Sequence, residues 1–243
     1  MADFDGATVV NGAGAALPYP SLVDPVVGLV AEMAGLRARR MDELDTIVVT
    51  KSSPGFGAAH VAALRELLAD AKAARLGRLK FLAFEFFHEG EGEASEDEAF
   101  HALLGDVANL ILSAPIVTVA CARGRMAGAD LEFALACSML VGERGASFSF
   151  AADPIVSIGT YGFLAQKIGF VRAERLMEEG EVLDVAQMQE LLLLKSVSED
   201  GGGVAGLEQF LRRTARRHNS CYGIYRAQRI TSPAMTSRWD AVA

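Results

Sequence analysis

Ten residues near the middle of the chain predict the fold around them: Arg123-Gly124-Arg125-Met126-Ala127-Gly128-Ala129-Asp130-Leu131-Glu132. They follow an apolar run at residues 116–121 and lead into a second apolar run that ends near Cys137. This order is typical of a buried strand at residues 117–121, a turn that contains glycine, and a buried helix at residues 129–137.

The same stretch carries the groups of a reaction site. The first N–H groups of a helix have no acceptor within the helix, so a turn of this kind can bind an oxyanion. Glu132 falls in the predicted first turn of the helix, where its carboxyl group can move a proton at the same place. A glutamate that only caps or braces the helix start is the alternative interpretation.

Strand and helix patterns alternate along most of the chain. Further strands are predicted at residues 46–50, 79–87, 138–141 and 147–150, and further helices at 25–40, 59–74, 99–112, 161–168, 172–179, 185–194 and 205–230. This order predicts an α/β fold with a helical C-terminal extension. We expect an N-terminal segment and helix at 1–43, a core at 44–200 and a C-terminal helical region at 201–243.

Composition narrows the class of protein. Apolar residues make up 51% of the 243 residues, but no apolar run reaches the roughly 20 residues that span a bilayer. The acidic N-terminus is unlike a signal peptide, and we expect a cytoplasmic protein without a membrane partner. The net charge of −8 argues against nucleic acid as a partner. The three cysteines lack metal-ligand spacing; Cys121 and Cys137 lie in apolar sequence and are expected to be buried.

The central stretch resembles the crotonase (enoyl-CoA hydratase/isomerase) superfamily. Gly124, Gly128, Ala129 and Glu132 stand where that family has Gly-x-x-x-Gly-Gly-Gly-x-Glu, at the family's distance before Cys137. Three residues differ from the pattern: Pro115 lies further upstream, Asp130 replaces the last glycine, and Ser138 replaces an aspartate. The resemblance implies a spiral of ββα units with C-terminal helices.

Two further stretches extend the resemblance. Residues 159–169 are similar to the family's glycine-helix-glycine segment, and residues 173–180 to its Ala-x-x-Leu-x-x-x-Gly segment. Residues 159–164 and 216–220 look most like the branch that contains the diffusible-signal-factor synthases.

The resemblance implies an enzyme of acyl thioesters, as in fatty acid metabolism. Its oxyanion hole would combine the backbone N–H of Ala129 with one near Glu89 or Gly90, and Glu132 would be the general acid/base. Glu132 stands alone among apolar residues, so burial should raise its pKa. The substrate would be a thioester of coenzyme A or of acyl carrier protein, with no permanently bound cofactor and no metal.

The second half of the expected site departs from the family. The family's second glutamate is missing, and Asp153 is the nearest carboxylate, although an ordinary turn aspartate is the alternative. Residues 88–98 form an acidic loop, which is either a surface loop or a site for a cation or partner.

The last predicted helix is basic. In relatives such residues help bind the phosphates of coenzyme A, which makes Arg216 and Arg217 candidates for that role. A solvated basic face that packs on another subunit is the alternative. The family implies a homo-oligomer, either a trimer or a hexamer.

Two functions therefore compete. The first is an enoyl hydratase or dehydratase, with isomerisation and thioester hydrolysis as reactions that use the same groups. The second is a catalytically impaired crotonase-fold protein that serves in binding or assembly, suggested by the missing glutamate, the acidic loop and Asp130.

Overall fold

A computed structural model describes residues 32–33, 35–51, 56–88, 98–150 and 157–231. The strands within this part of the chain are β1 (Glu32–Met33), β2 (Leu36–Met41), β3 (Thr46–Lys51), β4 (Phe81–His88), β5 (Val117–Met126), β6 (Met139–Glu143), β7 (Ser147–Ser149), β8 (Val182–Asp184) and β9 (Leu194–Ser198). The α-helices are α1 (Ala58–Lys72), α2 (Glu98–Ser113), α3 (Gly128–Ala136), α4 (Ser157–Ile168), α5 (Phe170–Glu179), α6 (Val185–Glu190), α7 (Gly203–Ala215) and α8 (His218–Thr231). A 3-10 helix at Asp42–Leu44 joins β2 to β3.

The strands form a sheet in the order β1-β2-β3-β4-β5-β6-β9. β1, β2 and β3 are antiparallel neighbours, whereas each later pair in this row is parallel. The last residues of β5, Arg125 and Met126, leave the row and pair with β7, which in turn pairs with β8. Parallel neighbours require crossover connections, and α1, α2 and α3 supply them. The predicted α/β fold class is confirmed.

Both faces of the sheet are buried. Along β4, Leu82, Phe84 and Phe86 belong to the layer that includes α1, α2, α3 and α4. Phe81 and Ala83 point to the opposite layer, which α7 and α8 cover. A parallel sheet covered on both faces needs apolar side chains on both, which is why its strands appear as continuous apolar runs in the sequence.

A buried ion network attaches α7 to the sheet. Arg123 Nη1 donates to Glu85 Oε1 at 2.9 Å, and Arg123 Nε donates to Glu143 Oε1 at 2.8 Å. The N–H of Gly203 donates to the same Glu143 oxygen at 2.6 Å. Because the network joins β4, β5 and β6 to the first residue of α7, it fixes where the C-terminal helices start.

Ser138 keeps the end of α3 attached to β5 without the aspartate of the crotonase pattern. The N–H of Ser138 donates to Thr118 Oγ1 at 2.9 Å, and the two hydroxyl oxygens lie 3.2 Å apart. The prediction that Cys121 and Cys137 are buried is confirmed, since each is 1% exposed.

The predicted helix at residues 25–40 is wrong in its described part. β1 and β2 form a hairpin there, and Gly35 (φ +79°) lies in its turn. The left-handed φ suits glycine, which is also a poor helix former. Arg37 and Arg39 alternate with the buried Leu36 and Ala38 in the first part of the strand, and this period-two pattern indicates a strand rather than a helix.

The predicted helix at residues 185–194 is also too long. α6 ends at Glu190, and Leu192 adopts a left-handed φ of +59° before β9 begins. β9 pairs with β6, so Leu194, the last residue of the predicted helix, belongs to a sheet strand. The sequence pattern predicts neither β8 nor β9.

The last predicted helix, at 205–230, is divided into α7 and α8. The N–H of Arg217 donates to the carbonyl of Thr214 at 2.9 Å, which tightens the end of α7. His218 starts α8 with its ring edge-on to Phe81, centroids 5.2 Å apart, and its ring nitrogen 3.1 Å from the carbonyl oxygen of Lys80. These contacts turn α8 back onto the sheet, which sequence periodicity could not show.

Candidate active site

Helix α3 starts directly after the C-terminal end of β5, with a backbone suited to expose N–H groups. Ala127 is extended (φ −151°, ψ 162°), and Gly128 follows with φ +52°. A Cβ at residue 128 would meet no atom within 4 Å. The left-handed φ, and not a lack of space, is therefore the reason that glycine is favoured here. Leu131 is the first residue whose N–H bonds back, to Ala127 at 3.4 Å. The N–H of Ala129, a half-buried residue, therefore has no acceptor within α3.

Glu132 is the fifth residue of α3 and begins its second turn, rather than lying in the first turn as predicted. Glu132 is only 2% exposed, which confirms the prediction that it is buried. The carboxylate accepts a hydrogen bond from the backbone N–H of Thr160 in the first turn of α4. Oε1 has no hydrogen-bond partner among the described residues.

Burial raises the pKa of Glu132 to about 8, and the hydrogen bond from Thr160 opposes this rise without cancelling it. The carboxyl group is therefore mostly protonated near neutral pH, and it loses its proton within the range in which most enzymes work. A buried acid with one oxygen without a partner is a group that can give a proton to a substrate placed beside it.

Gly159 makes this position of Glu132 possible. A Cβ at residue 159 would overlap the Glu132 carboxylate, with all three of its nearest atoms belonging to that group. The helix backbone of α4 and the carboxyl group can approach each other only because residue 159 has no side chain. The sequence pattern predicts a helix at 161–168, with Gly159 before it. Gly159 instead lies within α4, where its missing side chain leaves room for the Glu132 carboxyl group.

Asp130, the residue that replaces glycine in the crotonase pattern, pairs with Lys51 at the end of β3. Lys51 Nζ lies 3.4 Å from Asp130 Oδ2, and both residues are buried. Burial lowers the pKa of Lys51, while the charge of Asp130 acts in the opposite direction. The sequence pattern does not predict a role for Lys51, although a lysine directly after an apolar strand run is an unusual residue.

Five of the predicted site residues lie outside helix α3. Asp153, Glu89 and Gly90 lie outside the described residues. Arg216 and Arg217 lie between α7 and α8 and are exposed, on the side of the sheet where α7 and α8 pack. Glu132 and Ala129 are therefore the predicted site residues that the described structure brings together, on one helix and within one turn of each other.

Solved structures share the fold of this chain. An enoyl-CoA hydratase from Mycobacterium avium subsp. paratuberculosis K-10 matches with a TM-score of 0.67 at 18% identity, over 81% of this chain and 83% of that one. A putative enoyl-CoA hydratase from Streptomyces coelicolor A3(2) matches with a TM-score of 0.66 at 21% identity, over 90% of each chain. The protein has the crotonase fold.

Within the crotonase fold, DspI from Pseudomonas aeruginosa matches with a TM-score of 0.63 at 18% identity, over 80% of each chain. Enoyl-CoA hydratase structures and DspI thus match this crotonase-fold chain about equally well, and the fold does not separate the branches. No family model matches the sequence, and no curated protein matches it. None of the helices in the described residues is long and apolar enough to cross a membrane.

The raised pKa of Glu132 should make stability depend on pH. The folded protein holds a proton up to about pH 8, whereas the unfolded chain releases it near 4.5, so the free energy of unfolding should fall as the pH rises between these values. Glu132→Gln should remove this dependence and stabilise the protein at pH 9 by on the order of 4 kcal/mol.

Urea unfolding at pH 5, 7 and 9 measures this difference. Glu174→Gln, on the exposed side of α5, is the matched control and should leave the pH dependence unchanged. A wild-type protein and a Glu132→Gln variant with parallel pH profiles would contradict the raised pKa.

The close approach of α4 to Glu132 predicts opposite effects of two Gly→Ala changes. Gly159→Ala should destabilise the protein by roughly 1–3 kcal/mol, because the new Cβ displaces a buried carboxyl group. Gly223→Ala in α8, where a Cβ meets nothing within 4 Å, should stabilise by roughly 0.5–1 kcal/mol.

A double-mutant cycle with Glu132→Ala shows whether Gly159→Ala is destabilising because of the Glu132 carboxyl group. The cost of Gly159→Ala should shrink by more than half when Glu132 is alanine, because the overlapping group is gone. An unchanged cost in that background would show that Gly159 is needed for some reason other than Glu132.

Proposed function

We propose that this protein is an acyl-thioester enzyme whose leading reaction is hydration of a 2-enoyl thioester, or the reverse dehydration. The observation that carries the proposal is the buried carboxyl group of Glu132, one turn along the helix from the turn that holds the N–H of Ala129. Burial raises the pKa of this group to about 8, which suits a general acid/base. The crotonase fold shared with enoyl-CoA hydratase structures supports the choice of substrate class.

In this reaction the N–H of Ala129 donates to the thioester carbonyl oxygen, together with a second donor that we expect near Glu89 or Gly90. The oxygen of a water molecule bonds to C3, and the π electrons move toward the thioester oxygen to form an enolate. Glu132 gives its proton to C2 and takes up the proton that the added water loses. The net change is addition of one water molecule, and Glu132 returns to its protonated form.

The same two groups can isomerise an enoyl thioester. Ionised Glu132 removes a proton from C2, the enolate forms at the Ala129 N–H, and the proton returns at C4. This reaction needs one acid/base group, whereas hydration is helped by a second group, for which Asp153 is our candidate. Thioester hydrolysis instead releases the free acid, so the product identifies the reaction.

Binding of the carrier involves a different part of the chain. We propose that Arg216 and Arg217 bind the phosphates of coenzyme A or of an acyl carrier protein, because guanidinium groups suit phosphate geometry and both residues are exposed. A trimeric or hexameric assembly in the cytoplasm fits this proposal, since these residues can then serve a neighbouring subunit.

The deciding experiment follows turnover of 2-enoyl and 3-enoyl thioesters of coenzyme A and of acyl carrier protein. Glu132→Gln should lower kcat by about 100-fold or more, as expected for loss of a general acid/base. Glu174→Gln is the control, because Glu174 is an exposed glutamate of α5 with no part in the candidate site, and it should keep kcat.

Two outcomes would contradict the proposal. Full activity of the Glu132→Gln variant would show that Glu132 is not the acid/base of the reaction. Absence of turnover with every thioester, together with no rise in melting temperature on adding acyl-CoA, would favour the alternative of an impaired protein that serves in binding or assembly.

A further inference from the structure

Lys51 and Asp130 form a deeply buried ion pair beside the proposed oxyanion donor. Their side chains are 1% and 5% exposed, and Lys51 Nζ lies 3.4 Å from Asp130 Oδ2. Among the ion pairs of the described chain, no other has both side chains buried to this degree. The pair therefore calls for an explanation specific to its position.

Stability is a poor explanation for such a pair. Removing two charges from water costs several kcal/mol per ion, and apolar residues of similar volume often stabilise a protein equally well or better. A better explanation is that a buried pair fixes the relative positions of the two backbone segments that bear its side chains.

That geometry concerns the first turn of α3. Lys51 pairs in register with Phe86 of β4, and Phe86 with Ala122 of β5, so the lysine reaches past one strand to the helix that follows the next. Its partner Asp130 is the residue directly after Ala129. The ion pair thus links the end of β3 to the residue beside the proposed donor N–H.

An aromatic contact supports the same link. Lys51 Nζ lies 5.6 Å from the ring centroid of Phe56, within the range of a cation–π interaction. The Phe56 ring in turn packs on Phe133 of α3, with centroids 5.7 Å apart. Lys51 is thereby held to α3 both through a carboxylate in its first turn and through an aromatic ring in its second.

The charges matter as well as the contacts. A lone carboxylate at residue 130 would oppose the negative charge that develops on a thioester oxygen bound at Ala129, and this repulsion is strong where water is excluded. The ammonium group of Lys51 balances that carboxylate. Asp130 can then occupy the place of a glycine without weakening the oxyanion site.

We propose that Lys51 is a positioning residue, whose ion pair with Asp130 holds the Ala129 turn in its donating geometry and cancels the carboxylate charge there. The inference rests on the proposed function, because it assigns Ala129 as a donor to the substrate oxygen. It concerns kcat rather than substrate affinity, since neither side chain is exposed enough to bind a carrier group.

The test compares Lys51→Met with the charge-free double variant Lys51→Met/Asp130→Asn. Lys51→Met should lower kcat by about 100-fold with KM changed less than about threefold, because both the hold on the turn and the charge balance are lost. The double variant should recover to about tenfold below the unmodified protein, since only the hold is lost.

Lys80→Met is the matched control. Lys80 Nζ lies 2.7 Å from Asp45 Oδ2. Lys80 directly precedes β4, so it lies at the N-terminal ends of the parallel strands, whereas Lys51 lies at their C-terminal ends. Lys80→Met should leave kcat and KM unchanged. Melting curves of all variants report whether each is folded. The double variant removes both charges of the pair, so it carries the test if Lys51→Met alone does not fold.

The outcomes separate this inference from the proposed function. Wild-type kcat in folded Lys51→Met or in the double variant, with Glu132→Gln inactive in the same assay, would overturn the positioning role alone. Equal losses in the single and double variants would overturn the charge balance. Absence of turnover in the unmodified protein, or full activity of Glu132→Gln, would overturn the proposed function and this inference with it.

Discussion

The carboxyl group of Glu132 is buried against the backbone of α4, and the arrangement of the candidate site depends on this contact. It requires a glycine at residue 159, because any Cβ there would occupy the space of the carboxyl group. It also requires α3 and α4 to pack closely, which the buried apolar residues of both helices provide. Burial then holds the proton on the carboxyl group up to about pH 8.

The sheet supplies the rest of the site by bringing the ends of its parallel strands to one edge. β5 ends at the turn that starts α3, and β3 ends at Lys51, whose ammonium group reaches Asp130. On the opposite face, the network of Glu85, Arg123 and Glu143 fixes the start of α7. The candidate acid therefore lies on one face of the sheet, and the contacts that attach the C-terminal helices lie on the other.

Much of this arrangement could be predicted from the sequence where the pattern was local. The strand, the turn and the helix around Gly128 follow from an apolar run, a glycine and a second apolar run, and the burial of Glu132 follows from its apolar neighbours. The hairpin at Gly35 was missed because three arginines resembled the end of a helix, although their long apolar stems also suit a strand. The contact of Gly159 with Glu132 and the pair of Lys51 with Asp130 join residues far apart in the chain, and no local pattern reveals such contacts.

The central claim is that Glu132 is a neutral acid at physiological pH, held one helical turn from the N–H of Ala129, the proposed donor. Its most direct test is an NMR titration of the side-chain carboxyl carbons in protein labelled with ¹³C-glutamate, with the Glu132 resonance assigned by its loss in the Glu132→Gln variant. The account predicts a titration midpoint near 8 for this resonance. A midpoint near the ordinary glutamate value of 4.5 would show that the carboxyl group is ionised and solvated, and would contradict the account.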